Sequence, residues 1–279
     1  MSAAVVTAPG RPRPVTPVGI LAATLDDVLA EAEHGPLGAD GLARLRRARD
    51  LAAGLDPYLE RCTTPESPAL AELARRTAGH DWRGHPGGTG LEQEMLSGHV
   101  EGQLLRTLVH ATRARAVLEI GMFTGYSALA MAEAVGEGGR VVACEVDAEV
   151  AAFARESFAA SEAGARIDVR VGPAADTVGA LARTGERFDL VFVDADKAGY
   201  ADYLGLLLDA DLLAPRALVV VDNTLLQGLP YSAAEPTANS EAIAAFNDAV
   251  SADPRVEQVL VPLRDGMTLV HRVPGRTDP

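Results

Sequence analysis

Lysine is nearly missing from this 279-residue chain. Of its 25 basic residues, 24 are arginine and one, Lys197, is lysine. Arginine serves as well as lysine for solvated surface charge, but only lysine can surrender a proton near neutral pH. The exception is therefore a candidate base, against the plain alternative of an accident of codon usage. Aromatic residues are scarce, at 4%, which leaves the core to Ala, Leu and Val. Positive charge is in deficit: 25 Lys and Arg face 39 Asp and Glu, a net charge of −14. Nucleic-acid binding needs a basic stripe, and an anionic membrane surface would repel such a chain, so neither partner is expected. Cys62 and Cys144 are too few and too far apart for a disulfide framework or a structural zinc site, and a reducing cytoplasm is expected. No apolar run reaches the ~18 residues of a membrane span. The first 16 residues lack the apolar segment of a signal peptide. With hydrophobic residues at 48% and charged residues at 23%, the composition is that of a globular protein with a sizeable core.

Residues 1–17, rich in Pro and Ala, read as a flexible tail. Residues 18–90 read as a helical extension, with helices over 18–34, 39–53 and 68–79 interrupted at Asp56-Pro57 and Thr64-Pro65. The glycine-rich run from Gly79 to Gly90 marks the boundary to the main domain, residues 91–275. There helices over 97–112, 125–135, 147–163, 175–184, 198–210 and 239–251 alternate with apolar runs at Ala116–Ile120, Arg140–Cys144, Ile167–Val171, Leu190–Val193 and Ala217–Val221. Two final strands, Val256–Val261 and Met267–Val273, join through Arg264-Asp265-Gly266, a hairpin signal. This is the pattern of an α/β protein with a doubly wound, mostly parallel sheet and an antiparallel terminal hairpin.

In such sheets ligands bind beyond the carboxyl ends of the strands. After the first strand stands Glu119-Ile120-Gly121-Met122-Phe123-Thr124-Gly125-Tyr126-Ser127. It is G-x-x-x-G, with Phe123 where a dinucleotide fingerprint needs its second glycine. That points away from a pyrophosphate and toward S-adenosylmethionine, whose carboxylate can rest on the amides opening the next helix. Ser127 would bond this carboxylate and Glu119 the ammonium. An ordinary strand-to-helix turn is the other reading. After the second strand, Glu145 lies 24 residues past Gly121, close to the spacing of a ribose-binding acid, while Asp147 reads as a helix cap. Gly172-Pro173-Ala174 is a turn that can approach an adenine. After the fourth and fifth strands come Asp194-Ala195-Asp196-Lys197 and Asp222-Asn223-Thr224. Asp194, Asp222 and Asn223 offer three hard oxygen ligands suited to Mg²⁺, against capping and turn roles for each alone. His99 is a possible pocket residue. Cys144 reads as packing, and the absence of G-x-S-x-G excludes a hydrolase elbow.

These motifs together resemble the metal-dependent class I O-methyltransferases of the caffeoyl-CoA and catechol type, from about Glu92 to Val273. The resemblance implies a Rossmann-like, seven-stranded sheet with a reversed final hairpin, S-adenosylmethionine, a divalent cation such as Mg²⁺ and a homodimer. It implies metal ligation by Asp194, Asp222 and Asn223, a base at Lys197, and cofactor contacts from Glu119, Gly121, Ser127, Glu145, Ala174, Asp194 and Asp196. A narrower resemblance, carried by Leu51–Tyr58, Cys62–Ser67, Leu91–His99 and Arg255–Leu260, is to the bacterial O-methyltransferases of mycosporine biosynthesis. These methylate desmethyl-4-deoxygadusol, a cyclohexenone, to 4-deoxygadusol. The plant branch has Trp after Asp-Asn-Thr-Leu; this chain has Leu226. The expected substrate is thus a small molecule with vicinal oxygens, with a catechol- or caffeoyl-CoA-type acceptor as alternative. An NAD-binding oxidoreductase and a cofactor-sensing protein without chemistry are the readings from other classes.

Overall fold

Strand β1 (Ala116–Ile120) is apolar on both faces because helices cover both. Val117 packs on one side with Leu105 and Leu129, and Leu118 and Ile120 pack on the other with Leu207 and Ile243. Each such buried side chain contributes about 1.5–3 kcal/mol. The computed structural model describes residues 13–32, 35, 38–82, 90–232 and 236–273. Residues 1–12 of the anticipated tail and most of the glycine-rich boundary fall outside that set.

The helices are α1 (Pro17–Ala32), α2 (Ala39–Cys62), α3 (Pro68–Ala78), α4 (Gly98–Thr112), α5 (Tyr126–Val135), α6 (Ala148–Ala159), α7 (Ala174–Arg183), α8 (Tyr200–Asp209) and α9 (Ala238–Ala252). The remaining strands are β2 (Arg140–Glu145), β3 (Ile167–Val171), β4 (Phe188–Val193), β5 (Leu213–Val221), β6 (Val256–Val261) and β7 (Met267–Arg272). They form one seven-stranded sheet in the order β3-β2-β1-β4-β5-β7-β6. β1 to β5 are parallel, and β7 runs antiparallel to β5 and to β6. This is the expected Rossmann-like methyltransferase architecture. The order reverses between β1 and β4, and the carboxyl ends of these two strands bound the crevice where such sheets take ligands.

Two features of the amino-terminal part depart from the sequence pattern. α2 runs through Pro57 instead of ending there. The proline removes the hydrogen bond to the carbonyl of Ala53, but α2 buries no residue and Ala53 is exposed, so water can serve that carbonyl. α3 is no satellite of the main domain: Leu70 and Leu73 sit in the same apolar cluster as α4 and α5. Ser67 caps α3 by accepting from the Leu70 N–H and donates to Glu133 of α5. No helix among the described residues is long and apolar enough to cross a membrane.

Candidate active site

A cleft of about 790 Å³ opens over the carboxyl ends of β1, β2, β4 and β5. Its floor depends on Gly121, which follows β1 with φ +89°. A Cβ there would lie 2.1 Å from the Asp194 carbonyl oxygen at the end of β4. Gly125, with φ +90°, likewise leaves room for the Phe158 ring. The glycine spacing is thus set by close approach of backbone and ring, and Gly121 in addition lines the cleft.

At the β2 end, Glu145 is fixed by both oxygens. The Phe123 N–H donates to Oε2 at 2.8 Å and the Asp147 N–H to Oε1 at 3.0 Å. Burial raises its pKa above the usual carboxylate range, and these two amides oppose the rise. Asp147 caps α6, as its position suggested, accepting from the Glu149 and Val150 N–H groups. Phe123 packs against Trp82 with ring centres 4.9 Å apart and planes tilted by 52°. Ala174, at the start of α7, lines the cleft beside Gly172 and Pro173. Cys144 lines it too, but burial pushes its thiol up to about 12, which removes it as a nucleophile.

At the β4–β5 end the chemistry is denser. Lys197 Nζ donates to Asp194 Oδ1 at 2.9 Å, to the Tyr200 hydroxyl at 2.7 Å and to Asn223 Oδ1 at 2.5 Å. All three ammonium protons are thereby engaged. Asp196 accepts from the Tyr203 hydroxyl at 2.8 Å. Asp222 is buried with Oδ1 unpartnered. Burial, then the nearby charge of Asp194, pushes its pKa up to about 7, while Lys197 pulls it down. Asn223 adopts a left-handed backbone (φ 57°) that asparagine tolerates better than most residues.

Two of the candidate cofactor residues stand apart. Ser127, in the first turn of α5, lines a small second cavity with Gly121, Phe123 and Asp194. Glu119 lines neither space. It is fully buried in β1 with both oxygens unpartnered, and burial holds its carboxyl well above the usual range. The Ser127 hydroxyl is close enough to oppose that rise but does not meet hydrogen-bond geometry.

A model of the O-methyltransferase family matches residues 60–273. The chain belongs to the O-methyltransferase family. Caffeoyl-CoA O-methyltransferase of Petroselinum crispum is 33% identical over 225 residues, 77% of this chain and 88% of that protein. Catechol O-methyltransferase domain-containing protein 1 of Mus musculus is 37% identical over 175 residues, 62% of this chain and 66% of that protein. Among solved structures, an SAH-bound methyltransferase of Podospora anserina superposes with a TM-score of 0.69 at 28% identity, covering 80% of this chain and 96% of its own. The O-methyltransferase TomG of Streptomyces achromogenes, involved in tomaymycin synthesis and solved with SAM, gives 0.67 at 29% identity, covering 78% and 96%. Family membership overturns the oxidoreductase reading of the glycine loop and the reading as a sensor without chemistry.

The cleft of this O-methyltransferase also holds residues that sequence reasoning passed over. Arg13 and Thr16, at the end of the anticipated tail, line it; Arg13 pairs with Glu92, and the Thr16 hydroxyl donates to Asp56 at 3.2 Å. Glu101, Arg264 and Asp265 line it from α4 and from the β6–β7 hairpin. His99 does not; its Nε2 hydrogen-bonds the Thr64 carbonyl. Among the described residues no three His, Cys, Asp or Glu side chains form a metal-holding group, so the candidate ligand set here is two carboxylates and an amide.

Proposed function

We propose that this enzyme uses S-adenosylmethionine and a divalent cation to methylate one of two neighbouring oxygens on a small ring, and that its substrate is desmethyl-4-deoxygadusol. The observation that carries the transfer reaction is the convergence of Asp194, Asp222, Asn223 and Lys197 at one end of a cleft whose other end holds Glu145. S-adenosylmethionine- and S-adenosylhomocysteine-bound neighbours support the choice of cofactor. Glu145, with both oxygens already oriented by amides, keeps lone pairs for the ribose hydroxyls.

The oxygen set fits a hard cation such as Mg²⁺. Asp222 Oδ1 is buried without a partner, and Asp194 and Asn223 already turn oxygens toward one positive group, the Lys197 ammonium. When bound there, the cation supplies Lewis acidity that favours ionisation of a chelated hydroxyl. Asp194, Asp222 and Asn223 would hold it and so orient the acceptor toward the sulfonium methyl. Lys197, positioned by Asp194, Tyr200 and Asn223, would release one proton to solvent and then take the hydroxyl proton at Nζ. S-adenosylmethionine would supply the methyl for the O–C bond and leave as S-adenosylhomocysteine.

The cyclohexenone substrate rests on the sequence resemblance and on Leu226 in place of an aromatic wall. The cleft supports it against a CoA thioester. Among the described residues each basic side chain lining the cleft already faces a carboxylate: Arg13 with Glu92, Lys197 with Asp194, and Arg264 with Glu101. That leaves little for CoA phosphates. The named relatives favour the second reading, a catechol- or caffeoyl-CoA-type acceptor. Mass spectrometry of products from enzyme, S-adenosylmethionine, Mg²⁺ and a panel of desmethyl-4-deoxygadusol, caffeoyl-CoA and catechol separates the two. A higher kcat/KM for caffeoyl-CoA would replace the first reading by the second. A homodimer belongs to the same proposal, with Leu51, Leu55 and Tyr58 exposed along α2 as the face to be covered; light scattering reads the mass.

A further inference from the structure

Glu101 is a buried acid of the cleft that the transfer reaction leaves without a task. It projects from the first turn of α4, is 1% exposed, and lines the cleft. Its Oε2 faces the Arg264 guanidinium at 3.3 Å. The Ser97 hydroxyl is close enough to act on the carboxyl, but Oε1 meets no partner at hydrogen-bond geometry, and a buried polar atom left unpaired is a standing cost. Ser97, Asp194, Asp222 and Arg264 line the same cleft, which places the carboxyl in reach of its oxygen-rich end.

Its surroundings hold it there. Arg264 sits at the tip of the β6–β7 hairpin with a left-handed backbone (φ 49°). That tip is fastened to the turn after Asn223: the Leu225 N–H donates to the Asp265 carbonyl at 2.8 Å, the Thr224 N–H to the Gly266 carbonyl at 3.0 Å, and the Gln227 N–H to the Asp265 carboxylate. The Glu101 carboxyl is therefore held against Arg264 in the cleft that Asp194, Asp222 and Asn223 also line. A hydroxyl suits it in either protonation state, donating to a carboxylate or accepting from a carboxylic acid; an ammonium can do only the first.

We propose that Glu101 Oε1 hydrogen-bonds a third hydroxyl of the substrate, beyond the two vicinal oxygens, and so selects polyhydroxylated rings over simple vicinal diols. This rests on the vicinal-oxygen reading above. A site built around a buried hydrogen-bonding group discriminates strongly against an analogue lacking the matching hydroxyl.

The test compares pyrogallol with catechol, two acceptors that differ by one hydroxyl, with S-adenosylmethionine and Mg²⁺. The wild-type enzyme should favour pyrogallol in kcat/KM by about 10-fold or more, mostly through KM. Glu101→Gln keeps size and a polar partner and should retain most of the preference. Glu101→Met, similar in volume without that partner, should bring the ratio to near one. Glu101→Asp keeps the charge for Arg264 but withdraws the oxygens by one methylene, and should lower the ratio too. Thermal shift with S-adenosylhomocysteine should be unchanged in all three, which a merely structural role would not give. A wild-type ratio near one, or an undiminished ratio in the folded variants, overturns the proposal; should Glu101→Met not fold, Glu101→Asp decides. Turnover of neither acceptor overturns this inference, and the vicinal-oxygen reading falls with it only if desmethyl-4-deoxygadusol is not methylated either.

Discussion

The carbonyl oxygen of Asp194 fills the space that a side chain on Gly121 would need, 2.1 Å from its Cβ position. The end of β4, with its Asp194 and Lys197, therefore lies where it does because residue 121 has no side chain. Gly121→Ala adds a left-handed φ on a non-glycine residue to a clash with backbone, which cannot swing aside. Together these cost about 2–5 kcal/mol, or a Tm lower by roughly 5–15 °C. Differential scanning calorimetry checks this. A variant as stable as wild type would mean that the two strand ends are free to part.

The proposed cation site, with the unpartnered Asp222 oxygen among its ligands, predicts metal dependence. EDTA should abolish turnover and Mg²⁺ restore it. Asp222→Ala should lose the stabilisation that Mg²⁺ gives the wild type while keeping that given by S-adenosylhomocysteine, since a ligand stabilises only a fold that binds it. Full activity in EDTA would remove the cation from the mechanism.

For Lys197, charge and proton transfer can be separated. Arginine keeps the charge and holds its proton. Lys197→Arg should lower kcat by about 10²–10⁴-fold with cofactor binding intact. A mild Lys197→Arg with a severe Lys197→Met would show that positive charge alone matters.

Asp265 should shape the pH dependence of stability. Burial pushes its pKa up to about 6, against the pull of the Gln227 N–H. An acid with a raised folded pKa favours the fold most below its unfolded value. Its contribution to stability is therefore full below about pH 4 and is lost, by about 3 kcal/mol, as pH rises through 6. Asp265→Asn keeps an acceptor for Gln227 and cannot ionise, so urea melts from pH 4 to 7 should lose that slope.

The strands and the residues at their carboxyl ends were legible because two-sided burial makes a strand a continuous apolar run and chemistry begins where the run stops. Glu145, Asp194, Asp222 and Asn223 all stand at such boundaries. Glu101 and Arg264 were not legible: neither follows a strand of the parallel set, and they meet only because the terminal hairpin folds back over α4. α2 hid its length because a surface helix tolerates Pro57. Gly121 was visible as a glycine, but whether it served a ligand or a neighbouring backbone depended on a contact with residue 194 that no local pattern records.

Trp82 is the chain's single tryptophan, and its ring rests 4.9 Å from that of Phe123, whose own amide holds Glu145 in place. The indole's near-ultraviolet emission thus comes from one spot, one residue removed from the proposed ribose acid. Trp82 is buried and lies behind Phe123, which lines the cleft, so a ligand filling the cofactor end would reach the fluorophore through that ring. A change in its emission on adding S-adenosylhomocysteine would give an unlabelled optical gauge of occupancy, readable in a stopped-flow cell without any substrate being turned over.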